Sequence, residues 1–226
     1  MIVEKSMLAP GTSFATAYYE ISSQLPGPVF MIVSGIHGNE PASIRAAKEL
    51  AGRFTRRELF LRQGRLIIIP LVNQKAYRTR IRGVPDLNRK FPTRTGTRAK
   101  HPLAAAVFEL ARRYQPDWYL DLHEANGLSQ TNRRRVGQTL MISRSSKAAS
   151  LAKQIARRMN QSIPVHAHHF NIHFRERSGT SRMAAERILG AKAVTVETCW
   201  SLSFPARMRY QKEIVYHFLR SAGLLR

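Results

Sequence analysis

The strongest constraint on this chain is an alternation. Short, wholly apolar runs are separated by stretches in which apolar residues recur every three or four positions. Val29-Phe30-Met31-Ile32-Val33 is followed by Ile44, Ala47, Leu50 and Phe54; Leu66-Ile67-Ile68-Ile69 is a further run of the first kind, and Ala193-Val194-Thr195-Val196 departs from it by one threonine. A short apolar run without polar alternation reads as a strand covered on both faces, and the longer spacing reads as the buried stripe of a helix. Strands alternating with amphipathic helices imply an α/β three-layer sandwich, with a mixed, largely parallel sheet between helices.

The expected strands cover residues 14–22, 28–34, 65–72, 117–123, 139–143 and 193–198. Leu25-Pro26-Gly27-Pro28 turns the chain between the first two. Expected helices begin near Pro41, with Asn39 as candidate cap, and span 102–114, 146–160, 181–189 and 209–220. Polar loops are expected at about 76–101, rich in arginine, and at 124–137. With no internal repeat and no linker, the 226 residues are expected to form a single domain, 1–226.

Composition removes several classes. Hydrophobic residues make up 43% of the chain, too many for global disorder. The apolar runs are far shorter than the ~20 residues of a membrane helix. The N-terminus, MIVEKSMLAPGTS, has an early acidic residue and no long apolar segment, unlike a secretion signal. One cysteine, Cys199, excludes an internal disulfide framework and a multi-cysteine zinc site, and is expected to be a small core residue. Cytoplasm is the expected compartment. A formal net charge of +23 predicts a field that attracts anions. Nucleic acid is one candidate partner, but no recognised binding motif occurs and the aromatics are not interleaved with the basic residues. A small carboxylate-bearing molecule is the expected partner, with no membrane, and a basic nucleic-acid-binding protein is the less favoured alternative.

Acidic residues are scarce, so those inside the apolar pattern are informative. His37 and Glu40 follow the strand at 28–34, His123 ends the strand that begins near Asp117, and Glu197 ends the strand around Val196. In open α/β sheets, ligands collect beyond the carboxyl ends of the strands. Such side chains are costly to bury unless paired or bound to metal. Two histidines and a carboxylate form a normal catalytic zinc set, and a further carboxylate can serve as general base.

"GIHGNE", "DLNRKFP", "DLHE" and "AVTVET", in that order, resemble the signature of the zinc carboxypeptidase superfamily, in its aspartoacylase and succinylglutamate desuccinylase branch. The resemblance runs from about residue 28 to 200 and implies the zinc carboxypeptidase-like fold and a single Zn2+ ion. It implies His37, Glu40 and His123 as metal ligands, and Asp86 as the aspartate that orients the first histidine. Asn88 and Arg89 are implied as the pair holding the substrate carboxylate, Glu197 as the catalytic glutamate, and Arg82 (or Arg80) as the group polarising the scissile carbonyl. Asp121, two residues before His123, is left as either a further orienting group or a hydrogen-bonded core residue. The implied activity is hydrolysis of an amide in an N-acyl amino acid, with a carboxypeptidase acting on peptides as the alternative. The implied chemistry is water whose pKa zinc lowers from about 15.7 to about 7.

The chain departs from the family pattern twice. "NIHFRERSGTSRMAAERILG" offers no tyrosine where the peptidases bring one, and only about thirty residues follow Glu197, too few for the additional C-terminal β domain of aspartoacylases. Two other features are open at this stage. His166, His168, His169 and His173 resemble a metal-binding tract but lack flanking carboxylates, and His168 or His173 could instead line the cleft. Arg133-Arg134-Arg135 reads as a solvated loop or as a means of drawing in an anion.

Overall fold

The computed structural model describes residues 1–226. In chain order it contains strands β1 (Ile2–Leu8), β2 (Thr16–Ser22) and β3 (Val29–Ser34), helix α1 (Pro41–Thr55), β4 (Arg65–Ile69), the short α2 (Gln74–Arg78) and a 3-10 turn at Leu87–Arg89. Then follow α3 (Pro102–Tyr114), β5 (Trp118–Ala125), β6 (Thr139–Ile142), α4 (Ala149–Gln161), β7 (Asn171–Phe174), α5 (Ser181–Leu189), β8 (Lys192–Cys199) and α6 (Phe204–Ser221).

All eight strands join one sheet in the order β1-β2-β4-β3-β5-β8-β6-β7. The central block β4-β3-β5-β8 is parallel throughout, β1 and β2 extend it antiparallel on one side, and β6 runs against β8 on the other. Side chains alternate across each strand, which is how one sheet feeds two cores. Phe30, Ile32, Leu120, Leu122, Val194 and Val196 face a layer made by α1, α4 and α6. Met31, Val33, Tyr119 and Ala193 face the opposite layer, made by α3 and α5. The three-layer α/β sandwich expected from the pattern is therefore present. No helix is long and apolar enough to cross a membrane.

The departures from expectation lie at the edges. β1 was not anticipated because it is an edge strand with mostly exposed side chains and no apolar alternation to mark it. β7 lies inside the histidine-rich stretch and is only partly buried. The loop expected at 76–101 is shorter, since α2 occupies its beginning and the 3-10 turn its middle. α6 begins at Phe204 rather than near 209, and α4 at Ala149 rather than 146. The N-cap position of α1 is held by Glu40, not Asn39, and its side chain makes no capping bond.

Candidate active site

The parallel block delivers its carboxyl ends to one edge of the sheet. β3 ends at Ser34 and enters a tight loop in which Gly35 takes a positive φ of 67°, a conformation that suits glycine. Gly38, in the same loop, lies so close to α2 that a Cβ there would stand 2.0 Å from the carbonyl carbon of Ala76. The glycines of "GIHGNE" thus serve the turn and the packing, and the loop presents His37 and Glu40. β5 presents His123, and the parallel register sets His123 directly opposite Glu197 of β8.

His37, Glu40 and His123 offer one ligand atom each within 4.8 Å of one another, and all three are buried. His37 Nδ1 lies 2.6 Å from Glu40 Oε1, His123 Nδ1 lies 2.8 Å from Glu40 Oε2, and the two Nδ1 atoms are 3.1 Å apart. The far nitrogen of each ring is held by a second carboxylate. His37 Nε2 is 3.1 Å from Asp86 Oδ1, and His123 Nε2 is 3.0 Å from Asp121 Oδ1. The Asp86 hydrogen bond fixes the His37 tautomer and turns its Nδ1 inward, the arrangement by which proteins orient metal-ligating histidines, and the Asp121 charge stands behind His123. Two imidazole nitrogens and a carboxylate, converging with their outer atoms already committed, fit a divalent transition metal such as zinc.

Glu197 reaches the same place. Its Oε2 is buried with no hydrogen-bond partner. Burial is the main force on this carboxyl and, with the nearby Glu40 charge, pushes it up to about 8 against the pull of His123 and His37. Glu40 behaves oppositely. Burial would raise it, but the flanking His37 and His123 hold it down at about 2. Asp86, despite partial burial, is also held well below the usual carboxylate range by the hydrogen bond from His37 and by Arg82.

These groups open on a cleft of about 290 Å³ lined by His37, His123 and Glu197, by Asn88, and by five arginines, Arg82, Arg89, Arg175, Arg177 and Arg182. Arg82 forks onto Asp86 Oδ2 through Nε and Nη2, at 3.2 and 3.1 Å, and its Nη1 lies 3.9 Å from Glu40 Oε1. Arg80 turns away to stack over the Tyr77 ring, 5.4 Å from its centroid, and does not line the cleft. Arg89 donates to the Asn88 carbonyl and stands half-buried in the wall. Asn88 is tied down: its Oδ1 accepts from the Ser181 N–H at 2.9 Å, and its Nδ2 lies 3.2 Å from His123 Nε2.

Several groups here carried no sequence signal of a role. Ser181 Oγ donates to Asp121 Oδ2 at 2.6 Å, joining the Asp121–His123 pair to the start of α5. Arg175 and Arg177 follow β7, in a stretch whose sequence stands out only for its missing tyrosine. Conversely, neither His168 nor His173 lines the cleft, and the histidine tract forms no cluster of ligand atoms comparable to the one above. His169 is spent on the Ile163 carbonyl, at 2.8 Å, and its ring lies tilted against that of His166, with 4.9 Å between centroids. Arg133, Arg134 and Arg135 also stay out of the cleft, and Arg135 packs against Gly127. Cys199 is buried against Gly137, as expected of a small core residue.

The family model of the succinylglutamate desuccinylase/aspartoacylase catalytic domain matches residues 26–222. No curated protein sequence matches the chain. Among solved structures, the cell shape determinant protein Csd4 from Helicobacter pylori, with bound product, is similar with a TM-score of 0.75 at 17% identity, over 91% of this chain and 55% of Csd4. The succinylglutamate desuccinylase/aspartoacylase from Rhodobacter sphaeroides is similar with a TM-score of 0.71 at 18% identity, over 99% of this chain and 66% of that one. This chain thus spans little more than half the length of Csd4, and at such identities the likeness establishes a shared fold. Because the family model extends over nearly the whole sequence, from the turn before β3 to the end of α6, the chain belongs to the succinylglutamate desuccinylase/aspartoacylase family.

Proposed function

We propose that this chain, as one catalytic unit, is a metal-dependent hydrolase that cleaves an amide bond in an N-acyl amino acid bearing a free carboxylate. The observation that carries the reading is the convergence of His37, Glu40 and His123 beside the unpartnered carboxylate oxygen of Glu197. His37, Glu40 and His123 would hold one zinc ion. A divalent ion held there supplies Lewis acidity and makes water nucleophilic near neutral pH.

The remaining work falls to the chain's own groups. Glu197, whose buried Oε2 has no partner in the protein, takes a proton from the attacking water and returns it to the leaving nitrogen. Arg82, anchored on Asp86, directs its positive charge at the oxygen on which negative charge develops. Arg89 grips the substrate carboxylate through a forked contact that lysine does not offer, and the Asn88 amide borders that contact. Asp86 keeps the His37 imidazole aimed inward through its hydrogen bond, and Asp121 sets a negative charge behind His123. Arg175 and Arg177 add positive charge to the wall from which a tyrosine is absent.

A second reading, a carboxypeptidase acting on short peptides, has one observation in its favour. The fold is also similar to that of Csd4 bound to mDAP, described as a D,L-carboxypeptidase, with a TM-score of 0.73 at 16% identity. Assaying zinc-loaded protein against a panel of N-acyl amino acids and a panel of short peptides separates the two. Turnover confined to the first panel supports the deacylase, and turnover confined to the second replaces it with the peptidase. Turnover of neither overturns both.

A further inference from the structure

β5 continues past His123 to Glu124, which is only 2% exposed and takes no part in the reaction proposed above. A buried carboxylate is costly unless paired, so its partners identify its task. Glu124 Oε2 accepts a 2.7 Å hydrogen bond from the backbone N–H of Ala42, in the first turn of α1. Glu124 Oε1 accepts from Nη1 of Arg207, in the first turn of α6. The Arg207 guanidinium is itself steadied over the Phe204 ring, 5.7 Å from its centroid.

The first N–H groups of a helix have no acceptor within the helix, and the residue at the N-cap normally provides one. At α1 that residue is Glu40, whose side chain makes no capping bond. Its carboxylate is turned instead toward His37 and His123. Pro41 has no N–H, so Ala42 carries the first donor that needs a partner. Glu124 supplies, from a different strand, the acceptor that Glu40 does not. It also lies next to His123 in sequence, while Ala42 lies two residues from Glu40.

We infer that Glu124, locked by Arg207, is a positioning residue for the metal centre: it caps α1 in place of Glu40 and pins the start of α1 to the end of β5. Glu40 and His123 belong to different elements, and this clamp fixes the distance between them. The inference rests on the metal-binding role of His37, Glu40 and His123.

The test is zinc affinity, measured at neutral pH by competition with a chromophoric chelator, alongside the far-UV circular dichroism and thermal midpoint of the metal-free proteins. In Glu124→Gln the shape is kept and the charge lost, and zinc binding is expected to weaken about 10- to 100-fold, the usual range for groups behind the ligands. Lys212→Met is the control. Lys212 contacts Glu49 at 2.8 Å, joining the same two helices away from the start of α1. It is expected to lose thermal stability without losing zinc affinity. A folded Glu124→Gln protein with wild-type affinity overturns the inference. Should Glu124→Gln fail to fold, Arg207→Lys carries the measurement, with a several-fold loss expected and unchanged affinity overturning the inference. A wild-type protein that takes up no zinc overturns the metal centre itself, an outcome distinct from loss of the positioning role alone.

Discussion

Glu40 and Glu197 are two buried carboxylates beside the same two histidines, yet their surroundings drive them in opposite directions. Glu40 is enclosed by His37 and His123 and stays ionised, whereas Glu197 has a free oxygen and a raised pKa. Paired groups driven apart in this way divide into a fixed anion and a proton carrier. Replacing Glu197 with Gln is therefore expected to leave zinc bound and to lower kcat by about 10²- to 10⁴-fold. Metal content and steady-state kinetics on the same preparation check both halves, and unchanged kcat removes Glu197 from the mechanism. Arg89→Lys keeps the charge but loses the fork; KM is expected to rise about tenfold, with a smaller effect on kcat. An unaltered KM would move the carboxylate contact elsewhere in the cleft. At this scale the residues legible in the sequence were those at strand ends, His37, Glu40, His123 and Glu197, because a polar group closing an apolar run stands out. Asp121 was legible only as a face of β5, since alternation gives the side of a sheet and not the partner there. Ser181, Glu124 and Arg207 were not legible as site groups, because their partners lie far away in the chain.

Helix and strand boundaries followed local chemistry wherever that chemistry was distinctive. α3 spans the range read from its apolar stripe and its opening proline. The sequence pattern places the start of α6 too late because its first turn carries few buried residues, although Ser203 caps it by accepting from the Ala206 N–H. β1 and β7 escaped notice because edge strands need no buried face. α3 also carries a testable pH dependence. Its N-cap is His101, whose Nδ1 accepts from the Leu103 N–H at 3.1 Å, a bond that requires the neutral ring. Partial burial, and secondarily the Lys90 charge, hold this histidine below its ordinary value of 6.5. With the folded pKa below the unfolded one, the cap contributes fully above about pH 6.5 and is lost as pH falls through the lower folded value. Protection of the Leu103 amide against hydrogen exchange, corrected for the intrinsic rate, is expected to fall between about pH 7 and pH 5. His101→Ser should abolish that dependence. A wild-type profile that stays flat would contradict the assignment.

Across the whole molecule, the alternation of apolar runs and amphipathic stretches was enough to specify a sheet between two helical layers. The order and direction of the strands were not legible in it, because β2 and β6 run against their neighbours β4 and β8, a choice made by the connections and not by side-chain pattern. The net charge of +23 indicated an anionic partner without locating its site; the structure concentrates five arginines around one cleft. Field lines focused there draw in anions and weaken as salt screens them. For an anionic substrate, kcat/KM is expected to fall several-fold between about 0.05 and 0.3 M salt, and much less for its uncharged ester. Equal salt dependence for the two would deny the cleft this steering role.

The central claim, that side chains from the β3–α1 loop and from β5 form one metal centre, is tested most directly by counting. Protein equilibrated with zinc and freed of excess should carry one zinc per chain by elemental analysis, and His123→Ala, with its fold verified by circular dichroism, should carry almost none. A wild-type protein that retains no zinc, or a His123→Ala protein that retains it undiminished, would contradict the account.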